Sequence, residues 1–356
     1  MSRRIVLTGG GTMGHVTPNL ALIPRLQAAG YEVHYIGTAG GMEAPKMRAI
    51  PGVTYHAVKS GKLRRYFSWE NFIDPFRVVI GAFQSARLMG KIRPDVVFSK
   101  GGFVAVPVVF GAWLHRVPVV CHESDLTPGL ANKLCKPFAR RFATTFPECA
   151  RALGPKAECT GTPMRPELFA GSREKGLALA GFGGEKPVLL MMGGSSGAQA
   201  VNAALREALP QLLPHFDVIH LCGKGNLAPE LEGTAGYRQL EFLDAELPDV
   251  LAATDLVLSR AGANALCEFQ ALDKPMLLVP YPKGQTSRGD QVLNAASYEK
   301  RGLCRVLQQA DMTADTLTEA LLRTWADRAQ LRAAVKAAPP ANGTDRVLEM
   351  IEEVQA

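Results

Sequence analysis

A histidine and a serine, both capable of acid–base or phosphate chemistry, each stand at a glycine-rich turn. His15 directly follows the turn at residues 9–14, and Ser195 lies within the turn at residues 193–198. Both turns follow strand-like apolar runs and precede helical patterns, so bare backbone N–H groups and the positive end of a helix dipole favour an anion there. Histidine has an ordinary pKa near neutrality, which suits a general base. The two turns predict two nucleotide-binding-type domains that face one cleft.

The first turn matches the dinucleotide-binding pattern Gly-x-Gly-x-x-Gly at Gly9, Gly11 and Gly14. That pattern also needs an Asp or Glu at the end of the second strand, where residues 35–37 read Tyr-Ile-Gly. The departure argues against a nicotinamide or flavin site, and we expect no cofactor.

The second turn matches the Gly-x-Ser-x-Gly elbow that carries the nucleophile of α/β-hydrolases. The only histidines after Ser195 are His215 and His220, and the acids between Ser195 and His220 are Glu207 and Asp217. These residues are too close in sequence to reach the serine from separate strand ends. Ser195 is therefore interpreted as a hydroxyl donor to a phosphate.

Acidic and amide side chains mark three further strand ends or helix starts. Glu123 belongs to the polar run at residues 122–125, which follows a buried strand at the end where open α/β sheets bind ligands. Glu268 follows another strand–glycine–helix junction and could accept two hydrogen bonds from a ribose diol, or lie on a solvated helix face. Gln291 opens a later helix, where the polar residues could bind the hydroxyls of a sugar or cap the helix.

The sequence contains no Asp-x-Asp pair. Enzymes that hold a sugar-nucleotide diphosphate through a divalent metal commonly use that pair. The sequence therefore favours metal-free phosphate binding by backbone N–H groups and a helix dipole, and no metal site is expected.

Composition and charge favour an ordinary globular protein with one basic half. The chain has 356 residues, enough for two α/β domains, and is 47% hydrophobic with a mean hydropathy of +0.03. Residues 1–160 hold 21 Lys and Arg against 9 Asp and Glu, a net +12, whereas residues 161–356 hold 19 against 24, a net −5. Only the first half is expected to meet an anionic surface or ligand. Seven scattered cysteines without a Cys-x-x-Cys pair indicate reduced thiols, and no apolar run reaches the ~20 residues of a transmembrane helix.

Strand-like and helix-like segments alternate along both halves of the chain. The order predicts an α/β protein with parallel, doubly wound sheets. Residues 160–166, Thr-Gly-Thr-Pro-Met-Arg-Pro, interrupt the alternation and are the predicted linker. The helical pattern that follows the first glycine turn includes the amphipathic stretch at residues 20–29, and Pro18 fits the first turn of that helix.

Taken together, these segments resemble the MurG family, the N-acetylglucosaminyltransferases of peptidoglycan synthesis. The resemblance runs nearly from end to end, and the long matches at residues 60–66 and 122–133 take the form found in low-GC Gram-positive bacteria. Met13 departs from the family pattern by replacing a glycine, and Asp125 and Asp290 stand where Asn and Gln are frequent.

The resemblance implies a GT-B fold, with two doubly wound Rossmann-like domains and an interdomain cleft. Residues 1–161 would form an acceptor-binding, membrane-facing domain and residues 162–340 a UDP-GlcNAc-binding domain. Residues 341–356 would form a C-terminal helix that packs back on the first domain. The implied reaction moves GlcNAc from UDP-GlcNAc to the C4 hydroxyl of the muramoyl sugar of lipid I, with inversion, giving lipid II and UDP. Nucleic acid is not an expected partner.

The resemblance also implies the site residues. His15 would be the general base, with Glu123 as the rival, while Glu268 would bind the ribose and Phe242 with Leu243 the uracil. The diphosphate would lie against the turn formed by Gly193, Gly194, Ser195, Ser196 and Gly197. The remaining positions of the UDP-GlcNAc site would be Thr12, Met13, Gly14, Asp125, Arg165, Ala263, Asn264, Ala265, Leu266 and Gln291.

Because lipid I is anchored in a bilayer, we expect peripheral docking on the cytoplasmic side of the cell membrane. One segment interleaves cations with aromatic rings, a mixture that suits an anionic membrane surface. It consists of Lys62, Arg64, Arg65, Tyr66, Phe67 and Trp69. Its aromatic rings could instead pack into the core of the domain.

Other enzymes and one binding protein remain alternatives. A UDP-GlcNAc 2-epimerase shares the two-domain architecture but needs no lipid acceptor. A diacylglycerol glycosyltransferase of related fold would use another acceptor. A non-catalytic nucleotide-sugar sensor would bind the donor without turnover.

Overall fold

The chain divides into two compact units. The computed structural model describes residues 3–61, 70–194, 197–284 and 289–355, and of residues 70–75 it describes only the backbone. Met1–Arg165 and Pro340–Ala356 form one unit, and Pro166–Pro339 form the other. We call them the N-terminal unit and the C-terminal unit. The chain therefore crosses between the units twice, after Arg165 and after Pro339.

The N-terminal unit is built on a sheet that contains, within the described residues, seven parallel strands. The strands are β1 (Arg3–Thr8), β2 (Tyr31–Gly37), β3 (Val53–Ala57), β4 (Val96–Ser99), β5 (Val119–Glu123), β6 (Arg141–Thr144) and β7 (Ala157–Cys159). The helices between them are α1 (Met13–Ala28), α2 (Glu43–Arg48), α3 (Glu70–Ile92), α4 (Ala105–Leu114), α5 (Leu130–Cys135) and α6 (Pro147–Leu153). The strand order is β3-β2-β1-β4-β5-β6-β7, so the direction of winding reverses between β1 and β4.

The C-terminal unit repeats this plan with, in its described part, six parallel strands. They are β8 (Val188–Met192), β9 (Asp217–Leu221), β10 (Tyr237–Leu240), β11 (Leu256–Ser259), β12 (Met276–Leu278) and β13 (Arg305–Val306). Its helices are α7 (Arg173–Ala180), α8 (Gln199–Leu212), α9 (Leu247–Ala253), α10 (Ala263–Ala271), α11 (Asp290–Lys300), α12 (Ala314–Ala326) and α13 (Arg328–Ala337). The strand order β10-β9-β8-β11-β12-β13 reverses between β8 and β11.

The last helix, α14 (Thr344–Glu353), belongs to the N-terminal unit. Val347, Met350 and Ile351 are fully buried in the hydrophobic core that contains β1 and α1. On its polar face, the guanidinium of Arg346 lies 2.6 Å from the carboxylate of Glu158 on β7. An apolar stripe and an ion pair thus attach the end of the chain to the unit that begins it.

The predicted α/β class with two doubly wound sheets is confirmed. Helix α1 begins at Met13, directly after the first glycine turn as the sequence predicts. Pro18 therefore lies beyond the first turn, where proline is normally unfavourable. Val16, Pro18 and Leu22 are buried, and this packing outweighs the local preference.

Candidate functional site

In both sheets, the glycine-rich turns lie at the point where the strand order reverses. The turn at residues 9–12 follows β1, and the turn at residues 100–102 follows its neighbour β4. In the C-terminal unit the turn at residues 193–198 follows β8, and residues 260–262 follow its neighbour β11. In open α/β sheets, ligands bind outside the carboxyl ends of the strands at such a switch point. Each unit therefore has a candidate ligand site at that edge.

The two turns of the N-terminal unit lie against each other. A Cβ atom added to Gly102 would come within 2.4 Å of the carbonyl oxygen of Gly10. Gly102 and Gly11 also have φ angles of +82° and +89°, in the region that favours glycine. Only glycine permits this close approach, which brings the start of α1 beside the end of β4.

His15 is held at the start of α1 by Thr12. The hydroxyl oxygen of Thr12 lies 3.0 Å from Nδ1 of His15, and the backbone N–H of His15 donates to the carbonyl of Thr12 at 3.1 Å. Thr12 is the N-cap residue, but its side chain makes no capping hydrogen bond. Met13, Gly14 and His15 are partly exposed, so the first turn of α1 is accessible to a ligand.

A buried polar network lies behind this turn. The ammonium group of Lys100 donates to Nδ1 of His122 at 2.7 Å and also bonds the hydroxyl of Ser124. On its other side, Nε2 of His122 donates to the carbonyl of Gly161 at 2.9 Å. Burial, together with the Lys100 charge, lowers the pKa of His122 well below its ordinary value. A neutral imidazole thus connects the end of β4 to the segment that leads out of the unit.

Glu123 is buried, and its carboxylate organises the loop that follows β5. One carboxylate oxygen accepts from the backbone N–H of Asp125 at 3.2 Å. The other accepts from the N–H of Gly129 at 2.7 Å and from the side-chain amide of Asn132 at 3.0 Å. Asp125 itself is partly exposed on this loop. The carboxylate of Glu123 therefore already binds three donors of its own unit.

The glycine turn of the C-terminal unit also depends on close backbone approach. A Cβ atom on Gly193 would lie 2.6 Å from the Cβ of Ala198, and one on Gly197 would lie 2.2 Å from the carbonyl oxygen of Cys222. Gly194 has a φ angle of +88°, and its carbonyl accepts from the N–H of Gly197 at 2.9 Å. Ser195 and Ser196, at the tip of the turn, lie outside the described residues. The turn leads directly into α8.

The other predicted donor-site residues of this unit lie on α10, on α11 and after β10. Ala263, Asn264, Ala265 and Leu266 form the first turn of α10, and partly exposed Glu268 follows them on the same helix. Leu243 is partly exposed beside Phe242. Gln291 lies in the first turn of α11, and its side-chain oxygen accepts from the N–H of Tyr281 at 2.9 Å.

A cavity of about 520 Å³ lies at this edge of the C-terminal unit. Its described lining is Gly193, Gly197, Ala198, Gln199, Ala200, Arg260, Tyr281, Gln291 and Gln309. The structure thus brings together the glycine turn and Gln291, two features that the sequence predicted separately. Glu268 and Leu243 are not among the described residues that line it.

The remaining predicted groups are Arg165 and the membrane segment. Arg165 is partly exposed at the boundary of the N-terminal unit. All six residues of the predicted membrane segment, Lys62 through Trp69, lie outside the described residues.

Sequence reasoning missed two buried cations at the switch points. Lys100 is 1% exposed and Arg260 is 8% exposed. Each directly follows a buried strand, β4 or β11, and is followed within two residues by glycine. A cation at such a junction is a signal that could have identified them, because a strand end is an unusual place to bury a charge.

Two doubly wound parallel sheets, each with a glycine-rich turn at its switch point, form the architecture of the GT-B glycosyltransferases. Residues 5–144 match the model of the glycosyltransferase family 28 N-terminal domain, and residues 188–351 match that of the glycosyltransferase family 28 C-terminal domain. The chain belongs to glycosyltransferase family 28.

Curated relatives and a solved structure agree with this membership. A protein of Geobacillus thermodenitrificans is 53% identical over 92% of both chains, and one of Geobacillus kaustophilus is 49% identical over 99% of both. Both are named UDP-N-acetylglucosamine–N-acetylmuramyl-(pentapeptide) pyrophosphoryl-undecaprenol N-acetylglucosamine transferase. The crystal structure of MurG from Acinetobacter baumannii matches with a TM-score of 0.79, at 26% identity and over 99% of both chains.

Across the described part of the chain, every helix is too short or too polar to span a bilayer.

Proposed function

We propose that this glycosyltransferase moves GlcNAc from UDP-GlcNAc to the C4 hydroxyl of the muramoyl sugar of lipid I. The products are lipid II and UDP, and the anomeric configuration inverts. The observation that carries the proposal is the 49% identity, over 99% of both chains, to a relative named for this transfer. The glycine turns at both switch points supply the backbone donors that two diphosphate-bearing substrates require.

On the donor side, we assign the diphosphate to the turn that contains Gly193, Gly194, Ser195, Ser196 and Gly197. The 520 Å³ cavity beside this turn supports the assignment. In addition, α8 begins at the end of the turn, so the positive end of its dipole favours the anion.

Three further positions complete the donor assignment. Glu268 is assigned to the ribose hydroxyls, Leu243 with Phe242 to the uracil, and Gln291 to the donor sugar. Because the side-chain oxygen of Gln291 already accepts from Tyr281, its amide N–H groups remain to donate to sugar hydroxyls.

On the acceptor side, we assign proton removal to His15. An inverting transfer forms the new C–O bond as the acceptor hydroxyl loses its proton, while the electron pair of the breaking bond goes to the departing diphosphate. His15 is partly exposed at a helix start, whereas the rival Glu123 is buried and accepts three hydrogen bonds within its own unit. This difference favours His15 as the base and Glu123 as the residue that shapes the loop carrying Asp125.

The lipid anchor of the acceptor calls for contact with a membrane surface. Helix α3 presents Phe76, Val79, Ile80 and Phe83, whose exposed fractions are 71%, 54%, 42% and 74%. Their spacing places them on one face of the helix, and such an exposed apolar face on a basic domain suits an anionic bilayer surface. We propose that this face, together with Lys62, Arg64 and Arg65, docks the protein peripherally where lipid I lies.

The acceptor requirement tests the proposed reaction. Purified protein is incubated with radiolabelled UDP-GlcNAc, with and without lipid I, and the products are separated. We expect labelled lipid II and UDP only when lipid I is present. An epimerised sugar nucleotide without acceptor, or donor binding without turnover in the presence of lipid I, would contradict the proposal.

A further inference from the structure

Three buried polar side chains are connected behind the glycine turn at residues 193–198. They are Asn202 on α8, His220 on β9 and Tyr237 on β10. Nδ1 of His220 lies 2.8 Å from the hydroxyl of Tyr237, and Nε2 lies 3.0 Å from the side-chain oxygen of Asn202. The side-chain amide of Asn202 donates to the carbonyl of Cys222 at 2.8 Å. We call these three side chains the His220 network; it ends at the residue that follows β9.

Each hydrogen bond of the His220 network has only one possible direction. Because the amide nitrogen of Asn202 donates to the carbonyl of Cys222, the amide oxygen is the group that accepts from Nε2 of His220. Burial, together with the charge of Arg206, lowers the pKa of His220 to about 3, so the ring is neutral. Nδ1 therefore accepts from the hydroxyl of Tyr237. A buried network whose hydrogen bonds are all made in one direction is rigid.

The carbonyl of Cys222 lies directly against the glycine turn that we assign to the diphosphate. A Cβ atom added to Gly197 would collide with this carbonyl oxygen, and Gly197 has a φ angle of +76°. Only glycine permits a contact of this kind. Because the two groups touch, a shift of the carbonyl would shift the turn with it.

The same segment after β9 also holds the end of β10. The backbone N–H of Cys222 donates to the carbonyl of Leu240 at 2.9 Å, and the N–H of Gly223 donates to the carbonyl of Glu241 at 3.0 Å. The two residues that we assign to the uracil, at positions 242 and 243, directly follow Glu241. The segment at residues 222–223 therefore contacts the diphosphate turn on one side and the start of the uracil loop on the other.

We propose that the His220 network positions the diphosphate turn relative to the uracil loop, so that both ends of the nucleoside diphosphate are bound at once. This inference rests on the proposed function. His220, Asn202 and Tyr237 are positioning residues, because they act through Cys222 and none of them is among the described residues that line the cavity. The distance between the base and the phosphates of one nucleotide is limited by its covalent structure. Misalignment of the two subsites therefore weakens binding of the whole nucleotide more than binding of either part.

The test compares the binding of UDP, uridine and inorganic pyrophosphate to the full chain. Dissociation constants and melting temperatures are measured for the wild type, His220→Leu, His220→Gln and Tyr237→Phe. We expect His220→Leu, which loses two hydrogen bonds, to weaken UDP binding by about 5- to 20-fold. Uridine and pyrophosphate, which each occupy one subsite, should change by less than about 2-fold. His220→Gln should recover part of the loss, because its amide can still donate to Asn202, and Tyr237→Phe should weaken UDP binding by about 2- to 5-fold.

Thr254→Val is the matched control in the same unit. The buried hydroxyl of Thr254 donates to the carbonyl of Val250 at 2.7 Å, before the start of β11 and so at the edge of the sheet opposite the cavity. Loss of this hydrogen bond should lower the melting temperature and leave UDP affinity unchanged.

A lower melting temperature with unchanged UDP affinity in His220→Leu would assign the network to stability alone and overturn the inference. A loss for uridine or pyrophosphate as large as the loss for UDP would also overturn it. If His220→Leu does not fold, unchanged UDP affinity in Tyr237→Phe, which loses one hydroxyl and keeps the ring, would overturn it. Failure of the wild type to bind UDP would instead contradict the proposed donor, and so the function itself.

Discussion

The hydroxyl of Thr12 holds the imidazole of His15 through Nδ1, at a distance of 3.0 Å. An N-cap threonine normally accepts a hydrogen bond from the helix backbone, but this side chain makes no such bond. A hydroxyl can donate or accept. When Thr12 accepts, the proton lies on Nδ1 and the lone pair on Nε2, the tautomer that a general base requires. This hydrogen bond would thus orient the imidazole that we propose as the general base.

The first prediction concerns the base itself. We expect His15→Ala to lower kcat by about 10²- to 10⁴-fold, the usual contribution of general acid–base catalysis, while the dissociation constant of UDP-GlcNAc changes little. Steady-state kinetics and donor titration measure both effects, and His215→Ala, at an exposed histidine of the C-terminal unit, is the control. If Glu123→Ala instead lost most of its kcat while His15→Ala kept nearly the wild-type kcat, Glu123 would be the general base and His15 would not.

A second prediction isolates the contribution of Thr12. Thr12→Val removes the hydroxyl but keeps the shape, so we expect kcat to fall about 3- to 10-fold, the effect of one hydrogen bond. Thr12→Ser restores the hydroxyl and should restore kcat. The pH profile of kcat/KM provides the second readout, because its acidic limb should move in the valine variant only. Equal rates for the valine and serine variants would remove Thr12 from the mechanism.

For the donor, Glu268→Ala should weaken UDP-GlcNAc binding by roughly 1.5–3 kcal/mol, since a charged group loses its hydrogen bonds to the ribose hydroxyls. Titration with UDP and with its 2′-deoxy analogue measures the loss, which should be smaller for the analogue. Glu207→Ala, at an exposed carboxylate on α8, serves as the matched control. An unchanged donor affinity would assign Glu268 to a solvated helix face.

At the membrane, replacing Phe76 and Phe83 on α3 with Ser should reduce binding to anionic vesicles and slow turnover of native lipid I. Turnover of a soluble, short-chain acceptor should be less affected, because the apolar face would act on the bilayer and not on the sugar. Replacing Lys62, Arg64 and Arg65 with Glu should act in the same direction. Phe169→Ser, at an exposed ring of the C-terminal unit, should change neither. Equal losses on both acceptors would refute docking by this face.

The last prediction concerns acid stability. Burial lowers the pKa of His220 to about 3. As the pH falls below about 6.5, His220 therefore becomes protonated in the unfolded chain but stays neutral in the folded chain. Stability from this group is therefore complete above pH 6.5 and decreases as the pH falls toward 3; at pH 5 the loss is about 2 kcal/mol. Denaturant unfolding at pH 7.5 and pH 5 measures the loss. We expect His220→Gln, which does not titrate, to reduce it, and an identical pH dependence in both proteins would contradict the prediction.

Much of the fold could be predicted from the sequence because its central strands are apolar on both faces. Residues 5–7 of β1 and the whole of β8 are continuous apolar runs, as expected for a parallel sheet covered by helices. Strands β6, β7, β10 and β13 were not predicted, since they are only two to four residues long and each contains a charged residue. Their pairing with neighbouring strands, and not their own sequence, makes them strands.

The sequence predicted only those parts of the candidate site that are formed by residues adjacent in the chain. Glycine turns are local, so residues 9–14 and 193–198 were identified directly. The guanidinium of Arg260 donates hydrogen bonds to Val279, Pro280 and Gln309. These residues lie 19 to 49 positions away in the chain. No spacing rule connects them, because the fold alone brings them together.

The anomeric configuration of the product tests the central claim most directly. The wild-type protein is given UDP-GlcNAc and a short-chain analogue of lipid I, and the linkage of the purified disaccharide is determined by NMR. We predict a β linkage to the C4 hydroxyl of the muramoyl sugar, formed by one in-line attack on the α-linked donor. An α linkage, a different acceptor hydroxyl, or conversion of the donor without the acceptor would contradict it.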